Sequence, residues 1–355
     1  MTSATAPPPP AQAAGPGAIM VAPYTSADET AWADFLAGSG NATLFHDLRF
    51  LAYHSPGRFD THHLLFRRGP SLVALLPAAI ITEPDGRRLL KSPYGGSVGG
   101  CALRPREHIE TIQAIVQGLQ EYAVACGLAG VELRIGPGIY AQPPNENMSF
   151  ALAAAGFVLA RRWLSQVITL PGDAAAVVEG IPTPVRRRYV RYAQRQGVTF
   201  AQVGPERLPD FHALLTANRA KHGAVPTHAL ADLQRIFELT PERVGLFLCE
   251  YQRRPIGGAY LLELNPRVVY WSYLCHDERF EHTRVTTFTT ARVMEHYAAR
   301  GFKYLDFGPS TFDDWSLNRG LAKFKEELGG VGFCRDTWRW EVTFPAPRPD
   351  GRTNA

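Results

Sequence analysis

The chain has 355 residues, of which 45 % are hydrophobic and 20 % charged; that length predicts two domains, with apolar material enough for packed cores. A formal net charge of +4 permits an anionic ligand but lacks the strongly basic signature of a DNA binder, so no DNA partner is expected. Five cysteines, Cys101, Cys126, Cys249, Cys275 and Cys334, stand singly without a CxxC pair, which argues against a zinc centre or a disulfide scaffold and fits a reducing compartment.

The opening stretch, MTSATAPPPPAQAAGPGA, has neither the basic nor the apolar region of a signal peptide, and residues 1–20 are expected to form an unstructured tail. No apolar run approaches the roughly 18 residues that span a bilayer, so a cytoplasmic protein without an integral membrane segment is expected. Residues 21–172 read as one domain. HHLLFRRG and SLVALLPAAIIT form a hairpin of strands, and RLLKSPYGGSVGG is a strand running into a glycine-rich loop. Ile109, Ile112, Ile115, Leu119 and Tyr122 mark a helix face. GVELRIGPG (strand), FALAAAGF (helix) and VLARRWLSQVITL (strand) follow.

Residues 173–345 read as a second domain, with 346–355 as a tail. TPVRRRYVRYAQRQG is a helix with Thr183 as N-cap, Pro184 in its first turn and Gly197 as its stop. FHALLTANRAKHG and ALADLQRIFEL are helices. VGLFLCEYQRRPIGGAYLLEL is a hairpin around Arg253-Arg254, and RVVYWSYLC is a strand. A helix over 285–299, the strand FKYLDFGPS, the helix LNRGLAKFKEELGG and the strand FCRDTWRWEVTF complete the chain. In that last helix Leu317, Leu321, Phe324 and Leu328 form one face, with Lys325 at its edge.

Three segment pairs recur in the same order, roughly 170 to 185 residues apart. YAVACGLAGVELRIGP matches HYAARGFKYLDFGP, AAAGFVLARRWLSQVITL matches EELGGVGFCRDTWRWEVTF, and GPSLVALLPAAI matches RRPIGGAYLLEL; an internal duplication is the economical reading. The order hairpin, strand, helix, strand, helix, strand resembles the GNAT acyltransferase fold. Two copies in tandem resemble the FemABX-like and BioF2-like branch, and the motifs carrying this are RRRYVRYAQRQGVTF, RRPIGGAYLL, YLDFGPS and NRGLAKFKEELGG. The resemblance spans roughly residues 40 to 342. It implies an α/β chain of two tandem GNAT-like domains, each a mixed, mostly antiparallel sheet flanked by helices. It also implies an N-acyltransferase or aminoacyltransferase whose co-substrate is acyl-CoA or an aminoacyl-tRNA, with no tightly bound cofactor. The acceptor is an amine of a large polar molecule, such as a cell-envelope precursor.

The resemblance places Lys325, with its neighbour Phe324, in the donor site, where a cation stabilises the oxyanion of acyl transfer; a lysine that only covers apolar surface is the alternative. Asp306 in YLDFGPS either orients the acceptor amine or fixes a turn. His276, beside Asp277, Glu281 and His282, is a candidate general base or part of a polar loop. Arg187, Arg191 and Arg195 form a basic row with no acidic residue interleaved, suited to phosphate or to solvent. The usual GNAT pyrophosphate loop has glycines where this chain has His282 and Arg284, which counts against acetyl-CoA; Arg284 remains able to meet an anion at the helix start. Tyr94, Gly95 and Gly96, with Tyr273 of the aromatic strand, are assigned to the acceptor, although strand ends also need glycine. Cys275 reads as a small buried hydrophobe more readily than as a nucleophile. A different reading of the whole chain is a non-catalytic binding module whose degenerate site holds an anionic partner.

Overall fold

The computed structural model describes residues 18–221 and 223–342. The expected tails lie outside them, except that Ile19 and Met20 already belong to a strand. The first half contains β1 (Ile19–Pro23), α1 (Glu29–Ala37), α2 (Leu48–Leu51), β2 (Asp60–Thr61), β3 (Leu64–Arg68), β4 (Ser71–Leu76), β5 (Ala79–Thr82), β6 (Arg88–Ser92), β7 (Ala102–Leu103), α3 (Ile109–Ala125), β8 (Gly130–Ile135), α4 (Asn147–Ala154) and β9 (Val158–Thr169). The second contains α5 (Val177–Gly180), α6 (Pro184–Arg195), β10 (Thr199–Gln202), α7 (Leu208–Ala220), α8 (Leu230–Leu239), β11 (Val244–Tyr251), β12 (Arg254–Asn265), β13 (Val268–His276), α9 (Val285–Ala299), β14 (Tyr304–Pro309), α10 (Arg319–Glu326) and β15 (Val331–Glu341).

Two expectations need correction. SLVALLPAAIIT is two strands, not one: β4 stays in a four-stranded sheet β1-β3-β4-β7, while β5, beyond Pro77, joins the large sheet. Proline has no N–H for a ladder, so the strand breaks there. The last helix begins at Arg319, not Leu317, because the Asn318 side chain accepts the Leu321 N–H and caps it. Its buried residues are Ala322 and Lys325, while Leu317 and Leu321 stay exposed.

The large sheet has eleven strands in the order β10-β11-β12-β13-β14-β9-β15-β8-β6-β5-β2. Its centre shows how the halves join. β9 closes the first half in sequence but pairs with β14 of the second; β15 closes the second half but pairs with β8 of the first. β9 and β15 also pair with each other. Each half therefore completes its sheet with the other's last strand. The pairs noted as repeats fall on matching elements: α3–β8 with α9–β14, α4–β9 with α10–β15, and β4 with β12.

Both halves contain one parallel pair. β6 and β8 run together from Leu89–Gly130 to Ser92–Leu133, and a Gly99–Ile135 bridge continues the contact. β13 and β14 pair only from Val268–Tyr304 to Tyr270–Asp306 and then part. One face of the second half's sheet packs on α5, α6 and α9 through Phe247, Trp271, Phe288 and Leu305. The other face packs on α7 and α8, and on first-half residues Leu44, Phe50 and Tyr53. The join between halves is thus itself a hydrophobic core.

Candidate active site

The site lies where β13 and β14 separate. At the end of their ladder, Asp306 is fully buried and bonded on all sides. It pairs with Arg335 of β15 at 2.8 Å, accepts the Tyr140 hydroxyl at 2.6 Å, and accepts the Gly308 N–H at 2.7 Å. Arg335 also donates to Tyr140 Oη at 3.1 Å and lies 4.8 Å over the Tyr270 ring. Burial opposes the Arg335 charge, but Asp306 and the two phenols outweigh it and raise its pKa. Burial also raises Tyr140 well above the usual phenol value. The cluster ties first-half Tyr140 to second-half Asp306 and Arg335 across the junction.

After Asp306 the register between β14 and β9 slips, and Gly308 adopts φ +73°. Only glycine takes this conformation freely. The slip turns the Gly308 and Pro309 carbonyls toward α10, where Lys325 Nζ donates to them at 2.8 and 3.2 Å. Lys325 is 4 % exposed, so its amino group lies inside the fold and not at the edge of an apolar face. Burial pushes its pKa down to about 7; Asp306 acts in the opposite sense and Arg335 adds to the fall. Ser310 donates to Gln166 Oε1 at 2.5 Å, while Gln166 Nε2 is buried without a partner among the described residues.

On the α9 side the wedge between the parted strands is filled by Trp271 stacked on Phe307 at 5.2 Å. Trp271 Nε1 donates to the Tyr273 carbonyl at 2.8 Å. On the opposite side lies a cavity of about 380 Å³ between the halves. Phe45, Tyr53, Gly95, Gly96 and Ser97 line it from the first half, and Tyr260, Tyr270, Ser272 and Tyr273 from the second, with Arg58 and Arg219 also in its wall. Tyr270 links cavity to wedge: its hydroxyl accepts from Ser97 Oγ at 3.2 Å, and a Cβ on Gly308 would meet that hydroxyl at 3.3 Å. Within the cavity wall, His228 lies 2.6 Å from Tyr273 Oη through Nδ1 and 3.2 Å from Tyr53 Oη through Nε2.

Of the residues singled out in the sequence, Lys325 and Asp306 are brought together around Gly308, and Gly95, Gly96 and Tyr273 line the cavity. Tyr94 does not; it is buried behind the wall, stacked on His63. His276 lies six residues along β13 from Tyr270, roughly 20 Å away at strand spacing. It faces a surface cleft with Lys221, Asp277 and Arg279. Phe324 is half-buried under the Arg186 guanidinium, 5.1 Å from its ring.

The basic row is not free of partners: the carboxylate of Glu179 on α5 pairs with Arg191, and Arg187 donates to the Ile181 backbone carbonyl. Sequence spacing missed both because α5 approaches from outside the helix. Arg284 has φ +62° at the start of α9 and lies 4.7 Å over the Tyr189 ring. Cys275 is buried and its thiol is pushed up to about 12, as a small hydrophobe's would be. Sequence reading missed Arg335, Tyr140, Tyr270, Arg219 and His228. For Arg335 a signal existed: in FCRDTWRW, alternation puts it on the same inward face as Thr337.

Residues 184–326 match the family model described as an acetyltransferase (GNAT) domain. Among solved structures, the chain is similar to FemX, with 12 % identity, TM-score 0.71, and 91 % of this chain and 97 % of that one covered. It is also similar to L-PGS from Bacillus licheniformis, with 12 % identity, TM-score 0.55, and 87 % and 90 % covered. A third is a tandem GNAT protein from the clavulanic acid biosynthesis pathway, with 12 % identity, TM-score 0.51, and 91 % and 98 % covered. No curated protein matches the sequence. Residues 184–326 thus carry a GNAT-type domain, and the whole chain has a fold similar to that of FemX and of a tandem GNAT protein. Among the described residues no helix is long and apolar enough to cross a membrane.

Proposed function

We propose that this chain moves an acyl or aminoacyl group from an ester or thioester donor to an amine of a large polar acceptor held between its halves. The observation that carries this is the continuity from Lys325 through Gly308 and Tyr270 into the interdomain cavity. The attacking nitrogen enters from the cavity, the donor carbonyl sits at the parted strands, and oxyanion charge develops near Gly308. Lys325 has two of its three N–H donors on backbone carbonyls. The remaining one, on the protonated form and excluded from water, stabilises that charge more than it would in solvent. Asp306, bonded to Arg335 and Tyr140, is a positioning residue: it holds the slip in β14 that aims Gly308. Arg58 and Arg219 give the cavity affinity for an anionic group on the acceptor.

The filled wedge bears on the donor. Trp271 stacked on Phe307 fills the gap between the parted strands, and His282 and Arg284 stand where the usual pyrophosphate loop has glycines. Both features favour an acyl ester on a bulky carrier, such as an aminoacyl-tRNA, over acyl-CoA. The exposed arginines of α6, Arg188 and Arg195, suit its phosphates. Similarity to FemX and L-PGS supports a cell-envelope setting for the acceptor, and a cytoplasmic site of action follows from such donors.

Calorimetric titration with acetyl-CoA and with a charged tRNA tests the donor. We expect salt-sensitive binding of the tRNA and weak binding of acetyl-CoA. Micromolar binding of acetyl-CoA alone reverses the donor assignment, and binding of neither supports a non-catalytic module.

A further inference from the structure

We infer that Tyr273 and His228 form the proton-accepting pair of this site, an inference that rests on the acyl-transfer reading. Hydrogen-bond directions around them are set by Tyr53. Its hydroxyl donates its one proton to the Gly95 carbonyl at 3.1 Å. Tyr53 Oη can then only accept from His228 Nε2 at 3.2 Å, so Nε2 carries the imidazole proton. His228 Nδ1 is left with a lone pair, and it accepts the Tyr273 hydroxyl at 2.6 Å. The His228 backbone N–H also points at Tyr273 Oη, at 3.2 Å. The Arg219 guanidinium lies 5.9 Å over the Tyr273 ring. Burial raises the Tyr273 pKa, and the His228 N–H and Arg219 work against that rise, favouring negative charge on the oxygen during a transfer.

An amine in the cavity arrives as an ammonium and must lose a proton to attack. That proton goes to Tyr273 Oη as the phenol's own proton passes to His228 Nδ1. The new N–C bond forms, and the donor's C–O or C–S bond breaks with its electron pair leaving on the carrier. The second amine proton is lost to solvent, and the imidazolium returns its proton to the leaving group. Tyr273 touches the substrate; His228 acts through it.

The groups around the pair fit a neutral imidazole at rest. Tyr53, His54 and Arg58 face it from the segment after α2, and Arg219 from α7. Asp232 of α8 acts on it from the other side, and Tyr260 and Tyr270 complete the wall. Burial lowers the His228 pKa, Asp232 works against the fall and Arg58 adds to it. His54 is less suited: burial and then Arg58 push it to about 4.

Two measurements test the pair on the full chain. In protein labelled with 15N-histidine at pH 7.5, we expect His228 with Nε2 protonated and Nδ1 bare, and Tyr273→Phe should shift only the Nδ1 signal strongly. An imidazolium, or a proton on Nδ1, overturns the inference. Transfer is then followed with acetyl-CoA and charged tRNA as donors and a lysine-containing tripeptide as probe amine. Tyr273→Phe and His228→Asn should each lower kcat about 10²- to 10⁴-fold and flatten the acid limb of the pH profile. Asn can still accept the phenol hydrogen bond, so a low kcat in a folded His228→Asn separates proton uptake from positioning. If the wild type is active and both variants keep its rate and profile, the pair is not catalytic although acyl transfer stands. If the wild type transfers from neither donor, acyl transfer fails and the pair's role fails with it.

Discussion

Three buried ionisable side chains, Lys325, Asp306 and Arg335, meet at the candidate site. Lys325 is held inside the fold with its pKa at about 7, whereas an unfolded chain keeps its lysine protonated to about pH 10. Between those values the unfolded state binds more protons, so this residue makes stability rise with pH. We expect the melting temperature of wild type to gain on that of Lys325→Met from pH 7 toward pH 10; a constant difference would show an ordinary exposed lysine. Asp306 and Arg335 are 0 and 1 % exposed at the side chain. Asp306→Asn keeps the shape but leaves the guanidinium without its counter-charge, and about 3–5 kcal/mol of stability should be lost in urea unfolding. The YLDFGPS and NRGLAKFKEELGG motifs pointed to Asp306 and Lys325, which the fold brings together around Gly308. The inward direction of Lys325 was not legible, because reading the helix from Leu317 assigned the buried face to Leu317 and Leu321. The cap at Asn318 sets a different start, and the chain before it stays exposed.

At the scale of elements, the slip in β14 and the early parting of β13 and β14 bring Gly308, Tyr270 and Lys325 together. Gly308 is the hinge of that arrangement. Gly308→Ala puts a side chain at φ +73°, against the Tyr270 ring and hydroxyl. A cost of about 1–2 kcal/mol is expected from the backbone alone, together with weaker acceptor binding as Tyr270 is displaced. Unchanged binding with the same stability loss would separate Tyr270 from the acceptor. The elements were largely legible: α9 runs over Val285–Ala299, the span read from the sequence, and the β11–β12 hairpin turns at Gln252 and Arg253, both at positive φ. What sequence periodicity cannot supply is the approach of one element to another. That is why Glu179 on Arg191, and Arg186 reaching both Thr287 and Glu327, went unread.

For the whole molecule, the exchange of β9 and β15 makes the halves interdependent. The duplication was visible as three repeated segments, but no pattern within either half tells which sheet its last strand joins. A fragment covering 173–345 lacks β9 and exposes the edges of β14 and β15, which invites aggregation. Extending the fragment back to Val158 restores that strand, and we expect the longer piece to be the more soluble; equal solubility would mean that β9 contributes little to the second half. The full chain should unfold in one cooperative transition. The cavity at the junction exists only in this joined state.

The most direct measurement is mass-resolved transfer of an acyl group from charged tRNA and from acetyl-CoA to an amine, comparing wild type with Lys325→Met at a temperature where both are folded. We expect transfer by the wild type and a loss of about 10²- to 10³-fold in the variant, as removal of a preorganised oxyanion donor produces. Equal rates for the two proteins would contradict the role given to Lys325. A folded wild type that moves no acyl group from either donor would contradict the acyl-transfer mechanism itself.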